Sequence, residues 1–277
     1  MDLTFVLLTW NSERYLERCM ATIISALGST ALTYEVLVLD NGSTDRTVEI
    51  LKQLAEKHSR VLVPYFETCN TGTTKSRNRL LAVARGEFIC VVDSDVELKL
   101  GVIETLLPYL DVENQVGIVV PSIFYPSGAW QKSFDRFPTL TDKVNRFFRL
   151  REIEKAEAQQ FESSNQSFQV DYAISAFWLM RRSTLQTVGF LDERIFYAPE
   201  DVDYCLRVWK SGFCILYVPA VSVIHHTQEI SRGFKINRAK LSHIKGLAYY
   251  FVKHRYLFRR PAFSHTMALA GADTNVQ

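Results

Sequence analysis

The first hundred residues alternate between short apolar runs and segments whose apolar side chains recur at helical spacing. The apolar runs, rich in β-branched and aromatic residues, occupy positions 3–9, 34–39, 61–65 and 88–92. Such runs are typical of strands that are buried on both faces. Because a helical segment follows each of the first three runs, the order predicts a parallel sheet with right-handed crossovers. The fold class is therefore α/β.

Polar clusters stand where three of these strands end. They are Thr9-Trp10-Asn11, Asp40-Asn41-Gly42 and Asp93-Ser94-Asp95. For any one of them alone, a simple turn is the favoured interpretation. Ligands of an open parallel sheet bind at the carboxyl ends of its strands, so three clusters at one edge predict a nucleotide pocket. The two carboxylates one residue apart, Asp93 and Asp95, suggest a divalent metal or a sugar hydroxyl.

Two common nucleotide-binding motifs are absent from the sequence. No G-x-G-x-x-G follows the first strand, and G-x-x-x-x-G-K-[ST] occurs nowhere. These absences count against a dinucleotide enzyme and a P-loop nucleotidase. A phosphate bound here needs another clamp, and a metal on Asp95 would supply one.

Composition limits the class of protein. The 277 residues are 47% apolar and 22% charged, which is ordinary for a globular protein, and the net charge of +2 gives no electrostatic basis for nucleic-acid binding. Five widely spaced cysteines without a C-x-x-C pair indicate reduced thiols. No signal peptide or membrane span is visible, so we expect a cytoplasmic protein.

Further acids and histidines lie in the second half of the chain. Pro199 precedes Glu200, Asp201 and Asp203, a pattern that predicts a helix start, where carboxylates are favoured by the helix dipole. His225 and His226 follow two strand-like runs, 214–218 and 221–224. A histidine at a strand end is usually structural, but an Asp93–Asp95 metal site needs a third ligand and imidazole is a usual one.

Two segments allow two interpretations each. Residues 138–166 are charged and helix-prone, and they read as an insertion near the site or as a surface excursion. From Lys235 onward the chain is basic and aromatic, with Leu241, Ile244, Leu247, Ala248, Phe251 and Val252 at helical spacing. That pattern predicts a helix that meets anionic lipid, or one packed on its own domain with a solvated basic face.

With these residues in view, the chain resembles a family 2 glycosyltransferase of the GT-A fold over residues 3–232. The motifs that carry the resemblance are T-W-N-S at Thr9, V-L-V-L-D-N-G-S-T-D at Val36, N-T-G at Asn70, R-N at Arg77, V-D-S-D-V-E-L at Val92, V-G-F-L-D-E at Val188, E-D-V-D at Glu200 and V-I-H-H at Val223. Y-P-S-G at Tyr125 and R-F-P-T-L at Arg136 are similar to bacterial rhamnosyltransferase-like members that build surface polysaccharide.

The resemblance implies a Rossmann-like, mixed but mainly parallel sheet flanked by helices. Residues 1–232 would form the GT-A domain, with a nucleotide-sugar-binding half at 1–100 and an acceptor-binding, catalytic half at 101–232. Residues 233–277 would form a basic amphipathic helical tail, which would contact the inner face of the membrane peripherally.

It also implies roles for individual residues. Asp40 would accept the N3 hydrogen of uracil or thymine, and Asp201 would be the catalytic base, with Glu200 orienting or replacing it. Asp95, His225 and Asp93 would bind Mg²⁺ or Mn²⁺, and Asp93 would also meet the ribose. The remaining substrate-binding candidates are Thr9, Asn11, Asn41, Asn70, Arg77, Asn78 and Ser94. Trp178, with Phe177, Phe190 and Phe196, is expected to form a wall for a sugar ring.

The implied reaction is an inverting displacement at a nucleotide-diphospho-sugar, dTDP-rhamnose or a UDP-sugar, by a glycan or lipid-linked acceptor. D-S-D departs from the N-P-D triplet of many rhamnosyltransferase-like relatives and leaves the donor open. The missing Q-x-x-R-W motif favours transfer of one sugar per encounter. A sugar nucleotidyltransferase would want a glycine-rich basic loop after the first strand. A non-catalytic carbohydrate-binding protein would lack Asp95, Asp201 or His225.

Overall fold

The computed structural model describes residues 1–28, 30–112, 115–142, 166–227 and 238–263. The strands are β1 Leu3–Thr9, β2 Tyr34–Asp40, β3 Leu62–Phe66, β4 Phe88–Asp93, β5 Val96–Glu97, β6 Val116–Phe124, β7 Trp130–Gln131, β8 Phe134–Asp135, β9 Phe168–Val170, β10 Tyr172–Ala173, β11 Phe177–Arg181 and β12 Cys214–His225. The helices are α1 Leu16–Gly28, α2 Thr47–Lys57, α3 Thr73–Val83, α4 Val102–Val112, α5 Arg182–Val188, α6 Glu200–Lys210 and α7 Arg238–His254.

The main sheet has the strand order β3-β2-β1-β4-β11-β6-β12-β5. Strands β3, β2, β1 and β4 are mutually parallel, as the alternation of strands and helices predicts. Strand β11 is antiparallel to both of its neighbours, β4 and β6, whereas β12 is parallel to β6. The expected mixed, mainly parallel sheet with flanking helices is confirmed.

The hydrophobic core lies between this sheet and its helices. In β1, Phe5, Val6 and Leu7 are completely buried, and α1 covers the sheet with Leu16, Met20, Ile23 and Leu27. These four helix positions repeat at intervals of three or four residues, so they form one apolar face. Helices cover the sheet, so these strands can carry apolar side chains on both of their faces.

The pairing of strands brings the polar strand ends to one edge of the sheet. Thr9 is the register partner of Asp40, and Leu8 is the partner of Asp93. At the other end of the sheet, β5 pairs with the last residues of β12, so His225 lies opposite Val96. This pairing carries His225 to the Asp93–Asp95 turn across some 130 residues of chain.

Two segments expected as separate strands, 214–218 and 221–224, form the single strand β12. Its register against β6 shifts between Val218 and Ser222, where Pro219 falls. Proline donates no backbone hydrogen bond, so it interrupts the ladder without ending the strand. All five cysteines are free, and all but Cys69 are buried.

Helix α7 in the tail packs on the rest of the chain. Tyr250 is fully buried and Phe251 is 6% exposed, so both belong to the core. None of the helices that the structure describes is long and apolar enough to cross a membrane. Most of segment 138–166, predicted as an insertion or surface excursion, lies outside the described residues.

Candidate active site

The three predicted metal ligands lie together at the edge of the sheet. Asp93 ends β4, Asp95 stands in the turn to β5, and His225 ends β12. One ligand atom from each lies within 4.8 Å of the others. His225 Nε2 is 3.3 Å from Asp95 Oδ1. Ligand shells of hard divalent cations measure about 4 to 5 Å across, so one ion could be shared among the three side chains.

The electrostatics of this cluster fit a cation. Burial raises the pKa of Asp93, and the neighbouring charge of Asp95 adds to that rise, although Arg77 opposes it. Burial lowers the pKa of His225, but the hydrogen bond and charge of Asp95 outweigh it, so the net pKa is raised. His225 Nδ1 is buried without a hydrogen-bond partner. Two close carboxylates and an unsatisfied ring nitrogen form a donor set that a divalent metal would stabilise.

Arg77 of α3 joins this cluster to the acids of α6. Its side chain is 2% exposed, and its Nη2 donates to Asp93 Oδ1 at 2.5 Å. Its Nη1 lies 2.6 Å from Ser175 Oγ and 3.5 Å from Glu200 Oε1. Ser175 in turn donates to Glu200 at 3.2 Å. One buried guanidinium therefore links two carboxylates that stand about a hundred residues apart in the chain.

Ser175 is a residue that the sequence did not single out. It is 7% exposed and lies between β10 and β11, in the apolar stretch 171–180. A hydroxyl in such a run must find a partner when it is buried, because an unsatisfied polar group is costly. The isolated serine was the available signal, but the sequence gives no sign of the partners.

Glu200 and Asp201 begin α6 with different surroundings. Glu200 is 7% exposed and faces Arg77 and Ser175. Asp201 is half-buried, and its Oδ1 accepts a hydrogen bond from the backbone N–H of Val202 at 2.8 Å. The more accessible carboxylate of the pair is therefore Asp201, at the end of the helix where the dipole stabilises negative charge.

The turn after β2 organises the neighbouring part of the edge. Asp40 Oδ2 accepts from the backbone N–H groups of Gly42 and Ser43 at 3.2 and 3.0 Å. Gly42 has φ +73°, and a Cβ there would lie 2.6 Å from the Cys69 backbone, so this close approach requires glycine. The Thr9 hydroxyl is buried without a partner in the structure. Thr9 is completely buried, so its predicted contact with the nucleotide stays a prediction.

Residues 4–189 match the model of the family described as Glycosyl transferase family 2, more than half of the chain. The protein is a family 2 glycosyltransferase.

Curated relatives and solved structures agree with this assignment. An N-acetylglucosaminyl-diphospho-decaprenol L-rhamnosyltransferase of Mycobacterium tuberculosis is 30% identical over 240 residues, 81% of this chain and 76% of the relative. Glycosyltransferase GlyG of Streptococcus pneumoniae serotype 4 is 28% identical over 68% of this chain and 59% of its own length, so the chain spans about three fifths of that relative. A mannosyltransferase from Pyrobaculum calidifontis, solved with GDP-Man and Mn²⁺, superposes with a TM-score of 0.64 at 18% identity, over 94% of this chain and 66% of that one. The fold is GT-A, and the sequence is rhamnosyltransferase-like.

Several residues that the resemblance predicts to bind the sugar donor form hydrogen bonds with other residues of the glycosyltransferase. Asn41 Nδ2 donates to Asn70 Oδ1 at 3.1 Å, and Asn41 Oδ1 accepts from Thr71 N at 2.9 Å. The amide of Asn78 binds both the N–H and the C=O of Leu191, each at 2.9 Å. These bonds hold the loop before α3 and the loop after α5. Direct donor contacts by these residues stay predictions.

Two other donor candidates hold turns near the strand ends. Asn11 Oδ1 accepts from Thr44 N at 2.8 Å, which ties the loop after β1 to the loop after β2. Ser94 Oγ lies 2.9 Å from Ser12 Oγ. Their predicted contacts with the nucleotide also stay predictions.

The prediction for Trp178 is wrong. Its side chain is 1% exposed, stacks on Tyr204 at 5.5 Å between ring centroids, and donates from Nε1 to Ala173 O at 3.1 Å. Phe177 is completely buried as well. Leu179 and Met180 are buried to the same extent, so side chains on both faces of β11 are covered. Phe190 and Phe196, 48% and 49% exposed, are still accessible to a sugar ring.

Proposed function

We propose that this glycosyltransferase moves one sugar, with inversion, from a nucleotide-diphospho-sugar to a glycan or lipid-linked acceptor in polysaccharide biosynthesis. The observation that supports the proposal is the Arg77 junction, which brings the Asp93–Asp95–His225 cluster next to the acid pair of α6. A displacement needs these two functions side by side, since one stabilises the leaving group and the other activates the attacking hydroxyl.

Leaving-group charge is the first requirement of the reaction. A divalent metal, when bound to Asp93, Asp95 and His225, would neutralise the diphosphate as a Lewis acid. Arg77 contributes a fixed positive charge beside Asp93, which opposes the rise that burial causes in the pKa of that carboxyl. We expect Mn²⁺ to serve better than Mg²⁺, because Mg²⁺ prefers oxygen ligands and one ligand of this set is an imidazole.

Activation of the acceptor is the second requirement. Asp201 takes the proton of the attacking hydroxyl, and Glu200 orients the start of the helix through its bonds to Arg77 and Ser175. Glu200 is buried against Arg77 and Ser175 whereas Asp201 is half-buried, so Asp201 is the more accessible of the two carboxylates to an acceptor. Attack from the side opposite the leaving diphosphate inverts the anomeric carbon.

The relatives support a choice of donor and acceptor. The M. tuberculosis relative is named as an L-rhamnosyltransferase with a decaprenol-linked acceptor, which supports dTDP-rhamnose and a lipid-linked glycan for this chain. Asp40, at the end of β2, would recognise thymine through its N3–H, and uracil would fit equally. A UDP-sugar is therefore the second donor to test.

A lipid-linked acceptor places the enzyme at a membrane surface, and α7 offers the face to meet it. Ile244, Val252 and Phe258 are 63%, 76% and 64% exposed, an unusual amount of apolar surface for one short segment. The exposed side chains of Arg255 and Arg259 stand among them. Apolar residues interleaved with cations suit the anionic headgroup region of a bilayer, so the contact is peripheral.

The experiment is a transfer assay with two matched variants. Nucleotide release is measured with UDP-, dTDP- and GDP-sugars in Mg²⁺ or Mn²⁺, and donor binding is measured by calorimetry. In Asp201→Asn, turnover should drop by at least roughly 10²-fold with little change in donor affinity, because a general base acts only in the transition state. Glu200→Gln, the matched control, should be milder.

Near-normal transfer by Asp201→Asn, or a collapse only in Glu200→Gln, would reject the choice of base. Equal collapse of both variants would show that the two carboxylates act as a unit. Binding of nucleotide-sugar without turnover, across the donors and several acceptors, would reject the enzyme function.

A further inference from the structure

A buried cluster of charges holds the acid-bearing helix α6 from its far side. Asp203 is completely buried. Its carboxylate receives Lys253 Nζ at 2.6 Å and His254 Nε2 at 2.8 Å, both from α7, and Arg207 Nε at 3.1 Å from its own helix. A carboxylate removed from water to this extent depends on its cationic partners for its place. The cluster therefore fixes the first turn of α6 relative to α7.

Lys253 has a second partner in the loop that leads into α6. Its Nζ is 2.8 Å from Asp192, whose carboxylate also accepts from the Tyr249 hydroxyl at 2.8 Å. One ammonium group thus bridges Asp192, near the start of the loop between α5 and α6, and Asp203, in the first turn of α6. The loop between α5 and α6 is held at both ends by α7.

The middle of this loop is enclosed as well. Helix α7 approaches it at Gly246, where a Cβ would lie 2.5 Å from Ala198 O. On the other side, Thr73 N donates to Phe196 O at 2.8 Å and Thr74 Oγ1 donates to Ile195 O at 2.7 Å. Thr73 and Thr74 begin α3, the helix that carries Arg77. The loop is therefore packed between α7 and the helix that links the two halves of the site.

The positions of Asp201 and Asp203 on α6 connect the packing of this loop to the placement of the proposed catalytic base. Residues two apart on an α-helix point about 200° away from each other. Asp203 turns toward α7, so Asp201 turns away from α7. A shift of the helix start that loosens Asp203 must move Asp201 in the same step. Misplacement of a catalytic group by about 1 Å can cost 10²-fold in rate.

We propose that Lys253 is a positioning residue for sugar transfer, which sets the place of Asp201 by bridging Asp192 and Asp203. The inference rests on the proposed function of Asp201. It gives α7 two faces with different tasks: the face with Lys253 and His254 orders the site, and the face with Ile244 and Val252 meets the lipid.

The test compares three substitutions in α7. Lys253→Met removes the charge and keeps the length of the side chain, and Lys253→Arg keeps the charge. Lys245→Met is the matched control, an exposed lysine on the same helix. Transfer is measured from dTDP-rhamnose and UDP-GlcNAc with Mn²⁺ to a short alkyl N-acetylglucosaminide, which needs no membrane. Hydrogen exchange of the amides at 196–204 is measured on the same proteins.

For Lys253→Met we expect kcat to fall about 10- to 100-fold with little change in the KM for the donor, as a misplaced base requires. Amide exchange at 196–204 should quicken by about tenfold, because local opening becomes easier. Lys253→Arg should restore most of the rate, and Lys245→Met should match the wild type in both measurements.

Wild-type turnover in Lys253→Met, or unchanged exchange at 196–204, would overturn the positioning role while the proposed function stands. A loss of rate that merely tracks the fraction of folded protein, or failure of Lys253→Arg to recover, would overturn it too. If the wild-type chain transfers no sugar from either donor, the proposed function fails and the positioning role fails with it.

Discussion

The two carboxylate groups of the site are held in different ways. Asp93 and Asp95 follow a central strand, and backbone pairing of β4 with its neighbours and of β5 with β12 sets their place. Glu200 and Asp201 begin a helix whose start is tied down by side chains from α3 and α7. Loss of a carboxylate from the first group leaves the backbone pairing of its strands in place. The side-chain contacts that hold the second group also stabilise the fold. We therefore expect substitutions at the strand end to change ligand binding with little loss of stability, and substitutions at the helix start to change both activity and stability.

The sharpest test of this difference removes one acid from each group. Asp203→Ala leaves Lys253 and His254 beside a buried vacancy, and breaking a buried ion pair in this way costs about 3 to 5 kcal/mol of folding free energy. Asp95→Ala should cost less than about 1 kcal/mol, because it also removes repulsion from Asp93. Urea denaturation of both variants measures the free energies of unfolding. Similar losses in both would erase the distinction between the two groups.

The pH dependence of the same experiment checks the cause. Burial alone would raise the pKa of Asp203, but hydrogen bonds from His254 and Lys253 lower it below the usual value. A carboxyl whose pKa is lower in the folded state stabilises the fold above its unfolded pKa of about 3.9, and that contribution disappears as pH falls through the folded pKa. The gap in stability between wild type and Asp203→Ala should therefore be full near neutral pH and shrink below about pH 4. A gap that is constant with pH would point to lost packing instead.

At the strand end the expected effect is on ligand binding. Asp95→Ala and His225→Ala should each weaken binding of the nucleotide-sugar in Mn²⁺ by at least about tenfold, or roughly 1.4 kcal/mol. Calorimetry in Mn²⁺ and in chelator measures the effect, and the wild type and both variants should become alike in chelator. Unchanged donor affinity in both variants with Mn²⁺ would remove the metal assignment.

What could be predicted from the sequence follows the same division. The acids at the ends of β2 and β4 sit beside their own strands, so local pattern was enough to place them at one edge. The Arg77–Glu200 pair spans residues about 120 apart, and no local pattern reports such a contact. Trp178 was misplaced for a related reason: an apolar run predicts a strand but does not say which of its faces other elements cover.

Helix α7 shows a different limit of periodicity. Spacing grouped Ile244 and Val252 with the apolar positions of the helix, yet both are exposed, whereas Lys253 turns inward to Asp203. The packed face carries Gly246 and His254 because α6 and its loop present a carboxylate and a backbone carbonyl there. The spacing of apolar residues does not identify a helix face whose contacts are with polar groups.

The smallest effect expected concerns the outer face of α7, and it separates that face from the inner one. Replacing Ile244 and Val252 together by Ser removes apolar surface that no described residue covers. Affinity for vesicles of phosphatidylglycerol and phosphatidylcholine should fall about three- to tenfold. The effect is small because insertion at the interface buries only part of each apolar side chain, and burial contributes about 25 cal/mol per Å² of apolar surface. Transfer to the soluble acceptor should stay at the wild-type rate.

Lys253→Met should show the reverse pattern, with normal vesicle binding and slow transfer, because its charge lies toward Asp203 and away from the lipid. Sedimentation with vesicles, alongside the soluble assay, measures both quantities on the same proteins. Equal vesicle binding by wild type and the double variant would leave the exposed apolar residues without a membrane role, and a joint loss of binding and rate in both proteins would mean that the two faces of α7 do not act separately.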